Sequence, residues 1–285
     1  MISIIPEGFN DFACKGGSCR HTCCQVWKID IDEDTAEYYR QLPGKLGDDL
    51  RRSMVREDGT WHFRLNPQGY CHLLDPDGLC RVIKELGEDA LCDICTVHPR
   101  FFTYVYEYIL CGTGLCCEKT CEVMAALPGP LHFTQEETGE VFTFPELLEE
   151  MGLEDLPEAK FHFSPDLTRK ELEVMIRELS ATEPIDQAWT RDLQEIEGAL
   201  DRYHTFAEDA PLPFFDRLYQ YIFYRQLDKE ASYGMEILAR YAQKSTQFIL
   251  LQAARTGDLL EAPRRWSEQI EYDTENVDRL LSQQI

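Results

Sequence analysis

Apolar residues recur at helical spacing through the second half of the chain. After the capping-box sequence Thr168-Arg-Lys-Glu171, positions three and four apart are apolar as far as Leu179, which predicts an amphipathic helix. The aromatic stripe of the helix predicted over Phe214–Phe223 is interpreted as core, with Arg225 at its solvent edge. Further helices are predicted over these segments: Trp189–Tyr203, Ile237–Tyr241, Phe248–Leu251 and Trp266–Leu281.

The first half of the chain instead shows short alternating segments separated by turn-forming residues. Alternation of apolar and polar residues is typical of strands, and Asp, Pro and Gly together are typical of turns. These patterns predict the following elements in chain order: a strand at Trp27–Ile31, a helix capped by Asp34 or Thr35, a strand at Trp61–Leu65, a turn at Asp75–Gly78, β structure over Phe101–Cys111, a helix over Cys117–Leu127 and a hairpin around Glu137–Gly139.

Composition divides the chain near its middle. All twelve cysteines lie between Cys14 and Cys121, and the breaker sequence Leu127-Pro-Gly-Pro130 follows them. We therefore predict a mainly α fold with small β elements, of the α+β class. An irregular, cysteine-rich metal-binding region (residues 1–127) is expected to pack on a mainly helical region (residues 128–285) that recognises a substrate or partner.

The charge balance narrows the range of partners. The 285 residues include 28 Lys and Arg against 52 Asp and Glu, a formal net charge of −24. Such a surface repels phosphates, which argues against nucleic acid and is compatible with a basic protein. No run approaches the roughly 20 apolar residues of a membrane span, and the N-terminus lacks signal-peptide features. We therefore expect a cytoplasmic protein without a membrane segment.

The cysteine spacing carries most of the chemical information. The groups read C-x4-C-x3-C-C from Cys14, C-x8-C from Cys71, C-x2-C from Cys92 and C-x4-C-C-x3-C from Cys111. Thiolates at two- to four-residue spacing can bind a soft cation such as zinc, copper(I) or the iron of an iron–sulfur cluster. The alternatives are a disulfide framework, which the even count permits, and burial as small hydrophobes. Because cytoplasmic thiols stay reduced, metal binding is favoured over disulfides.

A known family is similar to this chain in four successive blocks. These blocks are Cys14-Lys-Gly-Gly-Ser-Cys19-Arg-His-Thr-Cys23-Cys24, Asp77-Gly-Leu-Cys80, Leu91-Cys-Asp-Ile-Cys95-Thr-Val-His98-Pro99-Arg100-Phe101 and Gly112-Thr-Gly-Leu-Cys116-Cys117-Glu118. A weaker similarity continues in Tyr221-Ile-Phe-Tyr-Arg225. On these residues the chain resembles the flagellin lysine-N-methylase family, which is related to the broader group of zinc- or iron-chelating cysteine-cluster proteins.

The resemblance implies an enzyme that methylates lysine ε-amines. It implies an iron–sulfur cluster of the 4Fe-4S type, S-adenosylmethionine as methyl donor, and a basic or lysine-bearing protein such as flagellin as partner. Cys111 and Cys121 stay open between ligand and structural roles. Ten cysteines are candidate metal ligands: Cys14, Cys19, Cys23, Cys24, Cys71, Cys80, Cys92, Cys95, Cys116 and Cys117.

Other residues near the cysteines are candidates for contact with the donor or the substrate. His98 is interpreted as a ligand, a proton carrier or a structural histidine, and Arg100 as a carboxylate-binding or salt-bridged residue. Glu118 is a further candidate for donor binding. Trp27 and Tyr38 are candidates for a substrate pocket, with a place in the core as the alternative for Trp27.

Two functions of different classes remain on these observations. The first is an iron–sulfur-dependent protein-lysine N-methyltransferase, in which a base or a desolvating pocket must lower the pKa of the substrate amine. The alternative is a non-catalytic zinc- or iron-binding module that serves metal handling, redox sensing or protein interaction. No catalytic residue is predicted, because the motifs of nucleotide-binding folds, zinc proteases and serine hydrolases are absent.

Overall fold

The computed structural model describes residues 1–153 and 156–284, without the side chains of residues 158 and 159. The chain divides into two compact units. The cysteine unit comprises Ala13–Pro99, and the helical unit joins Met1–Phe12 to Arg100–Ile285. The predicted boundary at residue 127 therefore falls inside the helical unit, because strands from both sides of the cysteine unit belong to one sheet.

Strands form one sheet in each unit. In the described part of the chain they are β1 (Ile2–Pro6), β2 (Asp30–Ile31), β3 (Met54–Glu57), β4 (Thr60–Phe63), β5 (Arg100–Val105), β6 (Tyr108–Thr113), β7 (His132–Gln135) and β8 (Val141–Thr143). The helical unit has the order β5-β6-β1-β7-β8, and the cysteine unit has the order β2-β4-β3. β1 runs parallel to β6 and antiparallel to β7, so the start of the chain joins two hairpins into one sheet.

Helices predominate over strands, which confirms the predicted α+β class. In chain order the α-helices are α1 (Glu33–Gln41), α2 (Gly44–Ser53), α3 (Arg81–Leu86), α4 (Asp93–Val97), α5 (Glu118–Ala126), α6 (Phe144–Glu150), α7 (Arg169–Ser180), α8 (Gln187–Glu197), α9 (Arg202–Asp209), α10 (Leu212–Arg225), α11 (Glu230–Tyr233), α12 (Met235–Thr256), α13 (Glu261–Ile270) and α14 (Thr274–Ser282). None of the helices in residues 1–153 and 156–284 is long and apolar enough to cross a membrane.

Helix α1 begins two to three residues earlier than predicted. The side chain of Asp32 accepts a hydrogen bond from the backbone N–H of Thr35 at 2.8 Å. The first N–H groups of a helix have no partner within it, and a side chain just ahead of the helix can reach them. Asp32 is therefore the N-cap, and the prediction of Asp34 or Thr35 is wrong.

Helix α10 lies in the core of the helical unit. Nearly every residue from Phe214 to Tyr224 is buried, as expected of a helix that is apolar on all sides, and this confirms the core interpretation of its aromatic residues. The buried Arg217 donates hydrogen bonds to the carbonyls of Met124 and Gly129 at 2.9 and 2.8 Å. It thereby satisfies the Met124 carbonyl in the last turn of α5, which the helix leaves unpaired, and a carbonyl of the loop that follows.

Periodicity predicted the helices of the second half better than it predicted their ends. The segment Trp189–Tyr203 contains two helices, α8 and α9, because the backbone leaves the helix after Gly198. Trp266–Leu281 likewise divides into α13 and α14, with Asp273 as the cap of the second. In contrast, Ile237–Tyr241 and Phe248–Leu251 belong to the single long helix α12.

Candidate metal centre

The cysteine unit gathers five of its thiols in one apolar cluster. Cys71 and Cys92 are 5% and 0% exposed in this small core, which also contains Ile29, Tyr39 and Phe63. Three further cysteines pack against the core, and they are Cys24, Cys80 and Cys95. Residues far apart in sequence, from three separate blocks, thus meet within one unit.

Backbone contacts hold the first two cysteine blocks together. The N–H of Cys71 donates to the carbonyl of Cys24 at 2.8 Å, and Cys80 forms a bridge to Leu74 across the predicted Asp75–Gly78 turn, which the structure confirms. The Cys14–Cys19 loop touches this turn through Gly17, where a Cβ would lie 2.4 Å from the carbonyl oxygen of Asp77. Any side chain at position 17 would therefore force the two loops apart.

Two residues that the sequence analysis did not select hold the third block. Besides capping α1, Asp32 accepts a hydrogen bond from the backbone N–H of Asp93 at 3.0 Å, at the start of α4. Tyr39 donates its phenolic hydrogen to the carbonyl of Ala90 at 2.6 Å. Both contacts fix the backbone immediately before and after Cys92. The spacing of aspartate and tyrosine in the sequence gives no signal for this, because the contacts span about fifty residues or more.

Asp32 acts as a double cap, since it accepts a backbone hydrogen bond at the start of both α1 and α4, and its replacement should lower the stability of the protein. Partial burial opposes its ionisation, but the hydrogen bonds from Asp93 and Thr35 outweigh burial and lower its pKa. An Asp32→Asn variant turns an amide NH2 toward a backbone N–H, and we expect a loss of about 1–2 kcal/mol in urea unfolding of the metal-free protein at pH 7. Because the lowered pKa stabilises only the ionised form, the deficit should shrink as the pH falls below about 4.

Asp34→Asn is the matched control for this variant. Asp34 is exposed in the first turn of the same helix, so its change should cost at most about 0.5 kcal/mol. An equal loss in the two variants would contradict the double-cap assignment.

Hydrogen bonds join several thiols of the cysteine unit. A hydrogen bond from Cys23 lowers the pKa of Cys24 to about 7, although burial acts in the opposite direction. Within the C-x2-C pair, Cys95 donates to Cys92, which lowers the pKa of Cys92 and raises that of Cys95. Burial raises the pKa of Cys71 to about 12. The cluster therefore keeps some thiols protonated, and a bound cation would have to displace those protons.

The remaining candidates of the cysteine unit lie around this cluster. Cys14 is exposed, and its Sγ accepts a hydrogen bond from the Gly16 N–H at 3.3 Å. Trp27 packs against the core and donates from Nε1 to the carbonyl of Cys23 at 2.8 Å, while its ring centroid lies 5.7 Å from that of His98. Trp27 therefore contacts both the backbone of Cys23 and the ring of His98. Tyr38 is exposed on α1, and Cys19 is half-buried.

The helical unit holds the other four cysteines around the start of α5. Cys117 is the residue that precedes this helix, and Cys116 is half-buried, with its pKa raised to about 12 by burial. Cys121 is fully buried in the main core and donates from Sγ to the carbonyl of Leu115 at 3.1 Å. Cys111 is also buried, on β6. The buried Glu118 opens α5.

Helix α10 contacts the segment from Cys111 to Cys116 through two buried tyrosines. The Tyr221 hydroxyl lies 2.7 Å from both the backbone N–H and the carbonyl of Thr113, and the Tyr224 hydroxyl donates to the carbonyl of Cys111. A Cβ at Gly112 would come within 2.7 Å of the Tyr221 hydroxyl and closer still to the Phe101 ring. The aromatic helix and the β6 strand that leads to Cys116 are thus in close contact.

Arg225 lies inside this arrangement, so its predicted place at a solvent edge is wrong. Its Nε lies 3.1 Å from a carboxylate oxygen of Glu271, whose side chain is only 3% exposed, and its guanidinium stacks on Phe101 at 4.7 Å. The charge also lowers the pKa of Cys116, against the larger effect of burial. Arg100 is placed differently, with its guanidinium 5.3 Å from the centre of the Phe12 ring.

The thiols of the cysteine unit fit a soft metal by their chemistry. Five thiols in an apolar surrounding are the donor set that zinc and iron–sulfur clusters use, and a hydrogen bond joins the two side chains of the C-x2-C pair. Over residues 1–153 and 156–284, no three His, Cys, Asp or Glu side chains already stand in a metal-binding geometry. Ligation would therefore require side-chain rotation within the cluster.

Comparison with known proteins gives three curated relatives. The chain is 33% identical over 128 residues to a lysine-N-methylase of Salmonella choleraesuis (strain SC-B67) and 34% identical to that of Salmonella typhimurium (strain LT2). Each alignment covers 42% of this chain and 31% of the relative, so the match spans less than a third of those methylases.

The third relative is shorter. The flagellar biosynthetic protein FliU of Salmonella muenchen is 32% identical over 128 residues, which cover 42% of this chain and 75% of that protein. No protein-family model matches the chain, and no solved structure matches it.

Proposed function

Because the chain belongs to the flagellin lysine-N-methylase family, we propose that it is a protein-lysine N-methyltransferase. In this proposal the cysteine unit holds an iron–sulfur cluster of the 4Fe-4S type, and S-adenosylmethionine is the methyl donor. The proposed substrate is flagellin or another lysine-bearing protein. A basic substrate is compatible with the net charge of −24.

The observation that carries the proposal is the convergence of five thiols in the core of the cysteine unit. A cluster of this type needs three thiolate ligands when one iron is left open for the donor and four when it is closed, and the apolar surroundings would exclude water from it. The residues that would hold it are drawn from Cys24, Cys71, Cys80, Cys92 and Cys95. Asp32 and Tyr39 would keep the last block in place during ligation, since both contacts are made through the backbone.

The chemistry divides between the donor, the cluster and the chain. An iron–sulfur cluster supplies a binding site for the donor's amino and carboxylate groups and a route for an electron. In the net reaction the carbon–sulfur bond of the sulfonium donor breaks, the methyl group becomes bonded to the lysine nitrogen, and the ammonium loses one proton. The chain must bind the lysine as a cation and then shield the amine from water, because only the unprotonated nitrogen has a lone pair.

The proposal is tested on the full chain purified without oxygen. We expect a brown protein that contains iron and acid-labile sulfide, and we expect it to add methyl groups to flagellin lysines when S-adenosylmethionine is present. Mass spectrometry of the tryptic peptides measures the transfer. Flagellin in which the modified lysines are replaced by arginine is the control, since it keeps the positive charge and removes the acceptor nitrogen.

A different outcome would support the alternative function. A colourless protein with stoichiometric zinc, no iron and no methyl transfer would contradict the enzyme and indicate a metal-binding module. This second function is retained because the alignment covers only 31% of each of the two methylases.

A further inference from the structure

We propose that a cavity of the helical unit binds an alkylammonium group, which in a protein ligand is a lysine side chain. The cavity has a volume of about 590 Å³ and lies between α7, α12 and the segment of residues 160–168, with Tyr219 of α10 also in its wall. Its size is within the range of small-ligand sites. The inference rests on the proposed function only in taking the ligand to be part of a methylation substrate.

The apolar part of the lining suits the methylene chain of such a ligand. It includes Leu167, Val174, Met175 and Ala239, which present only aliphatic and thioether groups. A lysine side chain has four methylenes between its backbone and its charge, and it gains by burying them against apolar surface while its ammonium reaches polar groups.

Two amide side chains of the cavity have carbonyl oxygens that a ligand can use. Gln243 and Gln247 both donate from Nε2 to the same carbonyl, that of Ser164, with a distance of 2.9 Å for Gln247. Gln247 is only 4% exposed. Since both NH2 groups are used in this way, each side chain has its carbonyl oxygen left to accept a hydrogen bond from a ligand.

The charged residues of the lining also favour a cationic ligand. Lys244 and Arg240 are already matched, by Glu178 at 3.0 Å and by Glu236 at 2.7 Å. The carboxylate of Asp166 accepts a hydrogen bond from the Ser164 hydroxyl at 3.1 Å, and that hydroxyl in turn accepts one from the backbone N–H of Asp166.

Glu171 is engaged in the same way, by the backbone N–H and hydroxyl of Thr168 at the start of α7. Within residues 1–153 and 156–284, no cation lies at ion-pair distance from Asp166 or Glu171. Lys160 is the remaining cation of the lining, and it is exposed. The pKa of Glu236 is lowered mainly by Arg240, with a smaller contribution from the charge of Lys160. The unmatched groups near the segment of residues 164–171 are therefore acceptors and anions, which favour a ligand with several N–H donors and positive charge.

A second cavity gives room for the chain that would flank the lysine. It has a volume of about 530 Å³ and shares Asp166, Leu167 and Glu171 with the first. Its other walls include His204 and Glu208 of α9. The two cavities therefore meet at the carboxylates, and a peptide could extend from one into the other while its lysine is bound between them.

The test uses the full chain and a fluorescent twelve-residue peptide of Gly, Ser and Ala with one central lysine. A second peptide carries norleucine in place of lysine, which keeps the methylenes and removes the ammonium. We expect fluorescence anisotropy at low ionic strength to show at least tenfold weaker binding of the norleucine peptide. Equal binding of the two peptides would overturn the proposal.

Variants assign the binding to the cavity. Asp166→Asn should weaken the lysine peptide about five- to tenfold, because it removes a charged acceptor, whereas Asp209→Asn, an exposed aspartate of α9 outside both linings, should change it less than twofold. Val174→Trp should fill the cavity and abolish binding. If Asp166→Asn behaves like Asp209→Asn, the proposal is overturned.

Hydrogen exchange covers the possibility that Val174→Trp fails to fold. The lysine peptide should slow exchange in α7 and α12 of the unaltered chain, and protection confined to other segments would again overturn the proposal. The outcome is separable from that of the proposed function. Methyl transfer without cavity-dependent peptide binding would remove only this inference, and cavity-dependent binding without methyl transfer would remove only the proposed function.

Discussion

Replacing Cys92 and Cys95 together by serine is expected to remove the proposed metal of the cysteine unit completely. The two residues form the C-x2-C pair, are joined by a hydrogen bond and lie in the same apolar cluster as Cys24, Cys71 and Cys80. A serine hydroxyl is a poor ligand for a soft cation. Loss of two of the five thiols leaves fewer than the four of a closed site and removes both ligands of the C-x2-C pair from a site with an open iron. Metal analysis of protein purified without oxygen should show iron and zinc below a tenth of the unaltered level.

The fold should survive this double replacement. Cys92 is the N-cap residue of α4, and serine is among the best residues at that position, so the metal-free variant should unfold within about 1 kcal/mol of the metal-free parent. Cys121→Ala is the matched control, because Cys121 lies in the main core and its thiol donates to the carbonyl of Leu115. It should keep the full metal content. Full metal content in the double variant would show that the ligands lie elsewhere.

The sequence alone predicted the types of elements and the order of the cysteine blocks. The capping box at Thr168, the turn at Asp75–Gly78 and the hairpin around Glu137–Gly139 are local patterns, and the structure confirms each of them. Local hydrogen bonds between near neighbours decide such features, so a short stretch of sequence contains all the information needed.

The boundary between the units could not be predicted in this way. It depends on β1, at the very start of the chain, which pairs with β6 about a hundred residues later. A strand of five residues with the sequence Ile-Ser-Ile-Ile-Pro shows apolar character but not its partner, because pairing is decided by tertiary packing. The composition shift at residue 127 followed the cysteines, which both units contain.

The supporting residues of the candidate site were missed for a related reason. Asp32 resembles any exposed acid ahead of a helix, and only the structure shows that its second oxygen binds the backbone of Asp93. Arg225 ends an aromatic stripe and looks like the polar edge of a helix. Its partner Glu271 is the residue that follows α13, and the sequence does not place that helix beside it. Pairs of charges become visible from sequence only when they lie one helical turn apart.

Arg225→Met is expected to destabilise the chain by about 3 kcal/mol. The change removes the partner of Glu271, whose side chain is 3% exposed, and a buried carboxylate without its counter-ion costs far more than the lost attraction in water. The Ser267 hydroxyl donates to the other oxygen of Glu271 and would compensate only in part. Urea unfolding at pH 7 measures the loss, with Arg169→Met as control. Arg169 forms exposed ion pairs with Glu173 and Asp201, so its replacement should cost less than about 1 kcal/mol.

The double variant Arg225→Met with Glu271→Leu separates the buried charge from the packing. Once the carboxylate is absent, methionine at position 225 can still cover the Phe101 ring, and we expect at least half of the lost stability to return. The resulting coupling energy should be about 2 kcal/mol. Additive losses in the two single variants would show that Arg225 acts through its contact with Phe101 alone. In that case the ion pair would contribute nothing to holding α10 and α13 together beneath the Cys116 loop.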